Sequence, residues 1–154
     1  MGALNRISRE HEQIFILPVH PRTAKMFSHI LDPNILEDFT TNPYFRIIDP
    51  VSYFDMLMLE SRCRMMVTDS GGVQKESHFF RKPCLVLRPE SEWVEIVDQG
   101  TAMLVDTDPV MIRNAFDQFT KKPPANFPPV FGDGKAAEFI LREIVNFLNA
   151  GLQE

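Results

Sequence analysis

The chain has 154 residues, 44% of them hydrophobic, and a formal net charge of −5. This length and composition fit one domain with its own core and exclude a disordered chain. The negative charge argues against a general nucleic-acid binder but leaves room for one local phosphate site. No apolar run has the length of a membrane span, and segment 1–12 lacks the pattern of a signal peptide.

Short apolar runs alternate with helical patterns along the chain. The predicted strands are 14–19, 46–48, 65–68, 84–87 and 103–105. The predicted helices are 23–31, 53–60, 73–80, a short one from about 93 to Gly100, one after Pro109 and one after Gly134. Segment 122–129 is a proline-rich connector without regular structure.

Two helix starts carry capping signals, and two helices have clear apolar faces. Ser52 with Asp55 predicts a capping box, and Asp108 precedes a proline at the first helical position. The apolar faces consist of Ile112, Ala115, Phe116 and Phe119 in one helix and of Ile140, Ile144 and Leu148 in the last.

Apolar strands that alternate with helices predict an α/β fold with a Rossmann-like, doubly wound parallel sheet covered on both faces. No internal repeat is present, so residues 1–154 are interpreted as a single domain. Segment 1–11 has helical character and no strand precedes it, whereas a doubly wound domain normally opens with a strand. We therefore expect the first strand of the domain to lie outside this chain.

Two cysteines, Cys63 and Cys84, lie in apolar, strand-like contexts. They are expected to be reduced core residues rather than a disulfide or metal pair, which is typical of a cytoplasmic protein. No group of side chains has the ligand number and spacing that a metal site requires, so we expect neither a metal nor a cofactor.

The most informative segment is the one in which an apolar run ends in Asp69, Ser70, Gly71 and Gly72 before a helix. The first N–H groups of a helix lack internal partners and carry partial positive charge, so such a turn binds anions. Glycine also lets a phosphate approach the backbone closely. The alternative is an ordinary strand-to-helix turn with Ser70 as its N-cap.

Polar clusters follow three predicted strands, at 20–22, 69–72 and 88–90. Ligands of parallel sheets bind at the carboxyl ends of the strands, so the convergence of these clusters favours a functional anion site. Alternatives remain for single residues: His20 could bond only to the loop backbone, and Arg88 could pair with Glu90 or Glu92.

Several motifs together resemble the C-terminal half of the non-hydrolysing UDP-N-acetylglucosamine 2-epimerases. The matching segments are P-V-H at 18–20, I-D-P-V-S-Y at 48–53, T-D-S-G-G-V-Q-K-E at 68–76, K-P-C-L-V-L-R at 82–88, G-T at 100–101 and F-G-D-G-K-A at 131–136. The resemblance extends from about residue 11 to residue 148. D-S-G-G-x-Q-x-E at 69–76 followed by K-P-x-x-x-x-R at 82–88 is specific in combination, whereas either motif alone is weaker.

The resemblance implies a two-domain fold like that of the GT-B glycosyltransferases, in which a UDP-sugar lies in the cleft between the halves. This chain would be the UDP-binding half, and the N-terminal domain would lie outside it. The implied UDP-binding residues are His20, Tyr53, Met56, Ser70, Gly71, Gly72, Gln74, Glu76 and Arg88. The glycine turn would hold the diphosphate, Glu76 the ribose hydroxyls, and the turn of Tyr53 and Met56 would lie near the uracil.

The implied activity is that of an isomerase, which inverts C2 of UDP-N-acetylglucosamine, giving UDP-ManNAc, or of a related UDP-2-acetamido sugar used for cell-surface polysaccharides. The steps would be proton abstraction at C2, elimination of UDP and re-addition. The proton-moving carboxylates of this family belong to the missing domain, so the catalytic residues are unknown here and the isolated chain is expected to be inactive. The implied partners are the UDP-sugar and the missing domain; a homodimer is left open, and neither nucleic acid nor membrane is expected.

Two alternative functions would use the same nucleotide-binding residues. The chain could be half of a GT-B glycosyltransferase or a non-catalytic UDP-sugar sensor. One departure from the family concerns Trp93, which stands where many members have an arginine that contacts UDP. The E-W-V-E segment resembles a branch that handles more heavily modified UDP-sugars. Trp93 itself is interpreted either as a core anchor or as a stacking partner of uracil.

Overall fold

The computed structural model describes residues 1–30 and 33–150. The strands are β1 (Phe15–Pro18), β2 (Phe45–Ile48), β3 (Met66–Thr68), β4 (Cys84–Val86) and β5 (Ala102–Leu104). The helices are α1 (Gly2–Glu10), α2 (Pro21–Ile30), α3 (Pro33–Thr40), α4 (Tyr53–Arg62), α5 (Gly71–Phe79), α6 (Val94–Asp98), α7 (Pro109–Lys121) and α8 (Ala136–Ala150). None of the helices in the described ranges is long and apolar enough to span a membrane.

All pairings in the described strands are parallel, as the alternating pattern predicted. Strand β1 pairs with β2, and Phe15 lies opposite Phe45. Strand β4 lies between β3 and β5, so that Cys84 is opposite both Met66 and Ala102. The hydrogen bonds thus form two sheets, one of two strands and one of three, rather than one continuous sheet.

Strand β4 is central because it is covered on both faces. Cys84, Leu85 and Val86 are each 0% exposed. Leu85 points into one core cluster with the apolar face of α7, whereas Cys84 and Val86 point into a second cluster with Ile96 of α6. Both faces of β4 are thus covered by apolar side chains, as a continuously apolar strand of a parallel sheet requires.

The predicted helical character of segment 1–11 is confirmed by α1, which is held by a buried polar network. The Asn42 side chain donates to Asn5 Oδ1 at 2.6 Å and to Ser8 Oγ at 2.7 Å. All three residues are at most 4% exposed. Because these buried polar groups bond to one another, the network fixes α1 against the end of α3 without leaving their donors unpaired.

The predicted helix starts are confirmed. Ser52 Oγ accepts from the backbone N–H of Asp55 at 3.2 Å, and its hydroxyl donates to the Asp55 carboxylate at 2.7 Å. Asp108 accepts from the N–H of Val110 at 2.7 Å and from that of Met111 at 3.1 Å. The predicted apolar face of α7 is buried as well.

Other predictions differ from the structure in detail. The predicted helix 23–31 begins earlier, at Pro21, and its last predicted residue lies outside the described residues. Helix α3 was not predicted, because segment 33–40 opens with a proline and has a short, mixed pattern. Helix α8 is present, but none of its residues is buried.

Both cysteines are free thiols, as expected. Cys84 is completely buried, and desolvation raises the pKa of its thiol to about 12. Cys63 is half-buried, and desolvation raises its pKa as well. The two side chains therefore belong to the core rather than to a reactive surface site.

Candidate functional site

The glycine turn lies between the end of β3 at Thr68 and the start of α5 at Gly71. Ser70 occupies the N-cap position, and its carbonyl accepts from the N–H of Gln74 at 3.1 Å. No side-chain hydrogen bond caps the helix; the N–H of Ser70 instead donates to Thr68 Oγ1 at 3.0 Å. Ser70 therefore occupies the N-cap position but does not make the capping hydrogen bond. The first N–H groups of the helix remain available to bind an anion.

The two glycines have different surroundings. A Cβ atom on Gly71 would lie 3.3 Å from Trp93 Nε1 and 3.5 Å from Glu92 Oε2, so the absence of a side chain lets this loop come close. A Cβ atom on Gly72 would meet only Ser70 Oγ, at 3.7 Å. Neither glycine has a positive φ angle, and Gly72 is exposed. The open side of the turn is therefore the side of Gly72.

Trp93 contacts the backbone of the turn and supports it. Its indole N–H donates to the carbonyl oxygen of Gly71 at 2.8 Å. Its ring packs edge-on against Phe131 at a centroid distance of 5.7 Å, and Lys75 Nζ lies 4.3 Å from the ring centroid. The core-anchor interpretation of Trp93 agrees with these contacts, and the bond to Gly71 is a role that sequence reasoning missed.

Gln74 supports the same loop from inside. It is 0% exposed, and its side-chain oxygen accepts from Ser91 Oγ at 2.6 Å. Ser91 Oγ in turn accepts from the backbone N–H of Trp93 at 3.0 Å. Gln74, which the resemblance implied to be a UDP-binding residue, therefore faces the loop 91–93 rather than solvent in this structure.

The remaining predicted site residues lie at the carboxyl ends of strands. Arg88 follows β4 and binds both carboxylate oxygens of Glu92, at 2.8 and 2.9 Å, which is one of its two predicted pairings. The N–H of Glu92 itself and the Arg88 guanidinium lower the pKa of Glu92. His20 follows β1; it is exposed, and its Nδ1 accepts from the N–H of Arg22 at 3.3 Å.

The first turn of α4 presents Tyr53 and Met56 after the end of β2. Tyr53 is 65% exposed, whereas Met56 is half-buried. Phe54 between them is 77% exposed. Two adjacent aromatic rings are thus available at this strand end for an apolar or planar group.

A buried acid that interacts with Glu76 was not identified from the sequence. Glu60, in the last turn of α4, is 3% exposed, and desolvation together with the nearby carboxylate of Glu76 raises its pKa to about 7. Glu76 itself is half-buried and lies one helical turn after Gly72. The signal was present, because Glu60 follows Met56 and Leu57 at helical spacing and so shares their inward face.

A cavity of about 740 Å³ lies along segment 131–142, between Phe131 and Arg142. It contains none of the predicted UDP-binding residues, and its wall includes part of the exposed helix α8. The glycine turn lies outside this cavity, and Gly72 is exposed there.

Residues 1–145 match the family model described as UDP-N-acetylglucosamine 2-epimerase. The chain belongs to this epimerase family. It is 34% identical over 139 residues to a UDP-N-acetylglucosamine 2-epimerase of Methanococcus maripaludis. It is 36% identical over 138 residues to a UDP-2,3-diacetamido-2,3-dideoxy-D-glucuronate 2-epimerase of Pseudomonas aeruginosa.

The epimerase fold is also shared by solved structures. The structure of the Methanocaldococcus jannaschii UDP-GlcNAc 2-epimerase in complex with UDP-GlcNAc and UDP superposes with a TM-score of 0.81 at 32% identity. The match covers 94% of this chain and 39% of that one. The M. maripaludis and P. aeruginosa relatives are covered over 90% of this chain but only 37% and 36% of their own lengths.

Proposed function

We propose that the protein acts as a UDP-sugar 2-epimerase and that this chain supplies its UDP-binding half. The observation that supports the proposal is the start of α5, which has no side-chain cap. The start is open at Gly72, and the hydrogen bond from Trp93 to the Gly71 carbonyl holds it in place. Such a start offers fixed N–H donors to a diphosphate without needing to reorganise. Membership in the epimerase family supports the choice of a UDP-sugar as ligand.

The residue roles follow from position. Ser70, Gly71 and Gly72 would hold the diphosphate, and Arg88 would add positive charge there by exchanging part of its pairing with Glu92. Glu76, on the same face as Gly72, would accept hydrogen bonds from the ribose hydroxyls. The exposed ring of Tyr53 would lie near the uracil, with Met56 beneath it.

In the proposed reaction the C2–H bond and the bond from C1 to UDP break, and both form again with the hydrogen on the opposite face of C2. The turn would stabilise the negative charge that UDP gains as it leaves. The groups that move the proton would belong to a part of the protein outside this chain. The substrate would be UDP-N-acetylglucosamine or a related UDP-2-acetamido sugar.

The sheet topology supports the idea that a further strand belongs to this domain. In a doubly wound sheet the opening strand lies in the middle, between the second and fourth strands. Here β1 pairs only with β2, and β3 pairs only with β4, so the free edges of β1 and β3 have no ladder partner among the described strands. A strand from elsewhere in the polypeptide would join the two sheets into one.

Calorimetry with UDP and UDP-GlcNAc tests the proposal. We expect binding between about 1 mM and 1 μM, because only one wall of the cleft is present, and no turnover. Glu76→Ala should weaken binding by roughly 1.5–3 kcal/mol and remove the preference for UDP over its 2′-deoxy analogue. Glu95→Ala, an exposed glutamate of α6, is the matched control. Equal affinity of the wild type for both nucleotides would refute the role of Glu76.

A further inference from the structure

Glu60 is the most unusual polar group in the described part of the chain that the proposed mechanism does not use. Glu60 is 3% exposed, and neither carboxyl oxygen has a hydrogen-bond donor within reach among the described residues. An ionised carboxylate in such a place has lost its water without any compensation. A buried unpaired acid on a surface helix therefore needs an explanation.

The carboxyl group of Glu76, on helix α5, lies close enough to act on Glu60 both through its charge and as a side-chain hydrogen-bond partner. Two carboxylates cannot hydrogen-bond to each other, but a carboxylic acid can donate to a carboxylate. The proton belongs on the more buried member of such a pair, which is Glu60. The pair can therefore hold one proton between Glu60 and Glu76.

We propose that Glu60 is a positioning residue, whose protonated carboxyl donates to Glu76 and holds that carboxylate in place for the nucleotide ribose. The inference rests on the proposed function, because it assigns Glu76 to the ribose. One Glu76 oxygen accepts from Glu60, and its remaining lone pairs accept from the ribose hydroxyls. When Glu60 ionises, its proton goes to solvent, and repulsion moves the Glu76 carboxylate away from Glu60 and out of its binding position.

Few charged groups in the described part of the chain act on Glu60. Glu76 faces it from α5, and the Cys63 thiol lies near it at the end of its own helix. Lys82, in the segment before β4, acts on Cys63 and lowers the pKa of that thiol. Desolvation and the Glu76 carboxylate raise the pKa of Glu60 to about 7, so ionisation occurs within the physiological range.

The sign of the pH dependence follows directly. Only the chain with protonated Glu60 holds Glu76 in position to bind the ribose. The apparent affinity for UDP-GlcNAc is therefore proportional to the fraction of chains in which Glu60 is protonated. With a midpoint near pH 7, that fraction falls from about 0.9 at pH 6 to about 0.1 at pH 8, so UDP-GlcNAc affinity should fall about tenfold. UDP-GlcNAc is the suitable probe, since both of its phosphates are esterified and neither titrates in this range.

The test compares binding of UDP-GlcNAc by the 154-residue chain at pH 6, 7 and 8 for the wild type, Glu60→Gln and Glu60→Leu. The amide of Glu60→Gln mimics the protonated acid, so its affinity should match the wild type at pH 6 and stay within twofold at pH 8. Glu60→Leu lacks the donor and should bind weakly at every pH. Glu95→Gln, an exposed glutamate, should keep the tenfold wild-type dependence.

A second measurement needs no ligand. Carbon-13 NMR of the side-chain carboxyl groups should give a midpoint near pH 7 for Glu60 in the wild type, and a lower one in Glu76→Gln. Titration of Glu60 in the ordinary range of glutamate, or wild-type affinity that changes less than twofold from pH 6 to pH 8, would overturn the inference while leaving the proposed function intact. Absence of UDP-GlcNAc binding at every pH would overturn the proposed function and the inference with it.

Discussion

Helices α5 and α8 both begin after glycine-containing turns, and both turns belong to the motifs that resemble the epimerases. At α5 the turn is supported on one side: Trp93 donates to the carbonyl of Gly71, and Gln74 is buried against the adjoining loop. At α8 the turn glycines Gly132 and Gly134 have φ angles of 84° and 81°, and a Cβ atom at either position would meet nothing within 4 Å.

The same contrast continues along the two helices. Helix α5 buries Gln74, Ser77 and His78, and the His78 ring bonds to Thr101 and to the carbonyl of Pro128. Helix α8 buries nothing, and its large apolar residues are 46–79% exposed. A glycine turn followed by a helix thus fixes the local backbone geometry. The surrounding loops determine whether that geometry is rigid enough to bind a ligand.

Between the two helix starts, the larger loss of stability is expected when the support of the α5 turn is removed. Trp93→Ala removes the ring from Phe131 and the N–H from Gly71, so we expect a loss of about 3 kcal/mol in the free energy of unfolding. Trp93→Phe keeps most of the ring and should lose about 1 kcal/mol, the value of a hydrogen bond. Trp93 is the sole tryptophan of the sequence, so urea unfolding should be followed by circular dichroism. Wild-type stability of Trp93→Ala would show that the turn does not depend on this brace.

The smallest expected effect concerns α8. Ile144 is 51% exposed, so Ile144→Ala should change the free energy of unfolding of this chain by less than about 0.5 kcal/mol. Ile112, on the buried face of α7, is the matched isoleucine and is 3% exposed; Ile112→Ala should cost about 2–5 kcal/mol. Urea unfolding of both variants measures the contrast. A loss at Ile144 equal to that at Ile112 would mean that α8 is packed in solution.

The sequence predicted local features well. The capping residues Ser52 and Asp108, the connector 122–129 and the parallel pairing of the strands all follow from short-range chemistry that the residues themselves encode. Helix α3 was missed because its pattern is short, and the division into two sheets could not be read from strand patterns, since these do not show which strands are neighbours.

For the site, sequence reasoning identified the turn but not what supports it. The bond from Trp93 to Gly71 joins residues 22 positions apart, and the contact of Glu60 with Glu76 joins two helices, so both depend on tertiary packing. The same limit explains α8: periodicity predicted its apolar face, but an apolar face does not say what covers it. The UDP-binding roles of the nine predicted residues stay predictions.

The central claim is that the open side of the Gly72 turn receives the diphosphate, and calorimetry of UDP binding to Gly72→Val tests it most directly. A Cβ atom at Gly72 has room within the fold, so the variant should melt within a few degrees of the wild type. Its branched side chain would occupy the anion position, and affinity for UDP should fall at least about tenfold, a loss of about 1.4 kcal/mol. Ser70→Ala, which removes a hydroxyl donor and leaves the backbone in place, gives an independent check if Gly72→Val melts early. UDP binding of wild-type strength by a stably folded Gly72→Val would contradict the account, because the phosphates would then lie elsewhere.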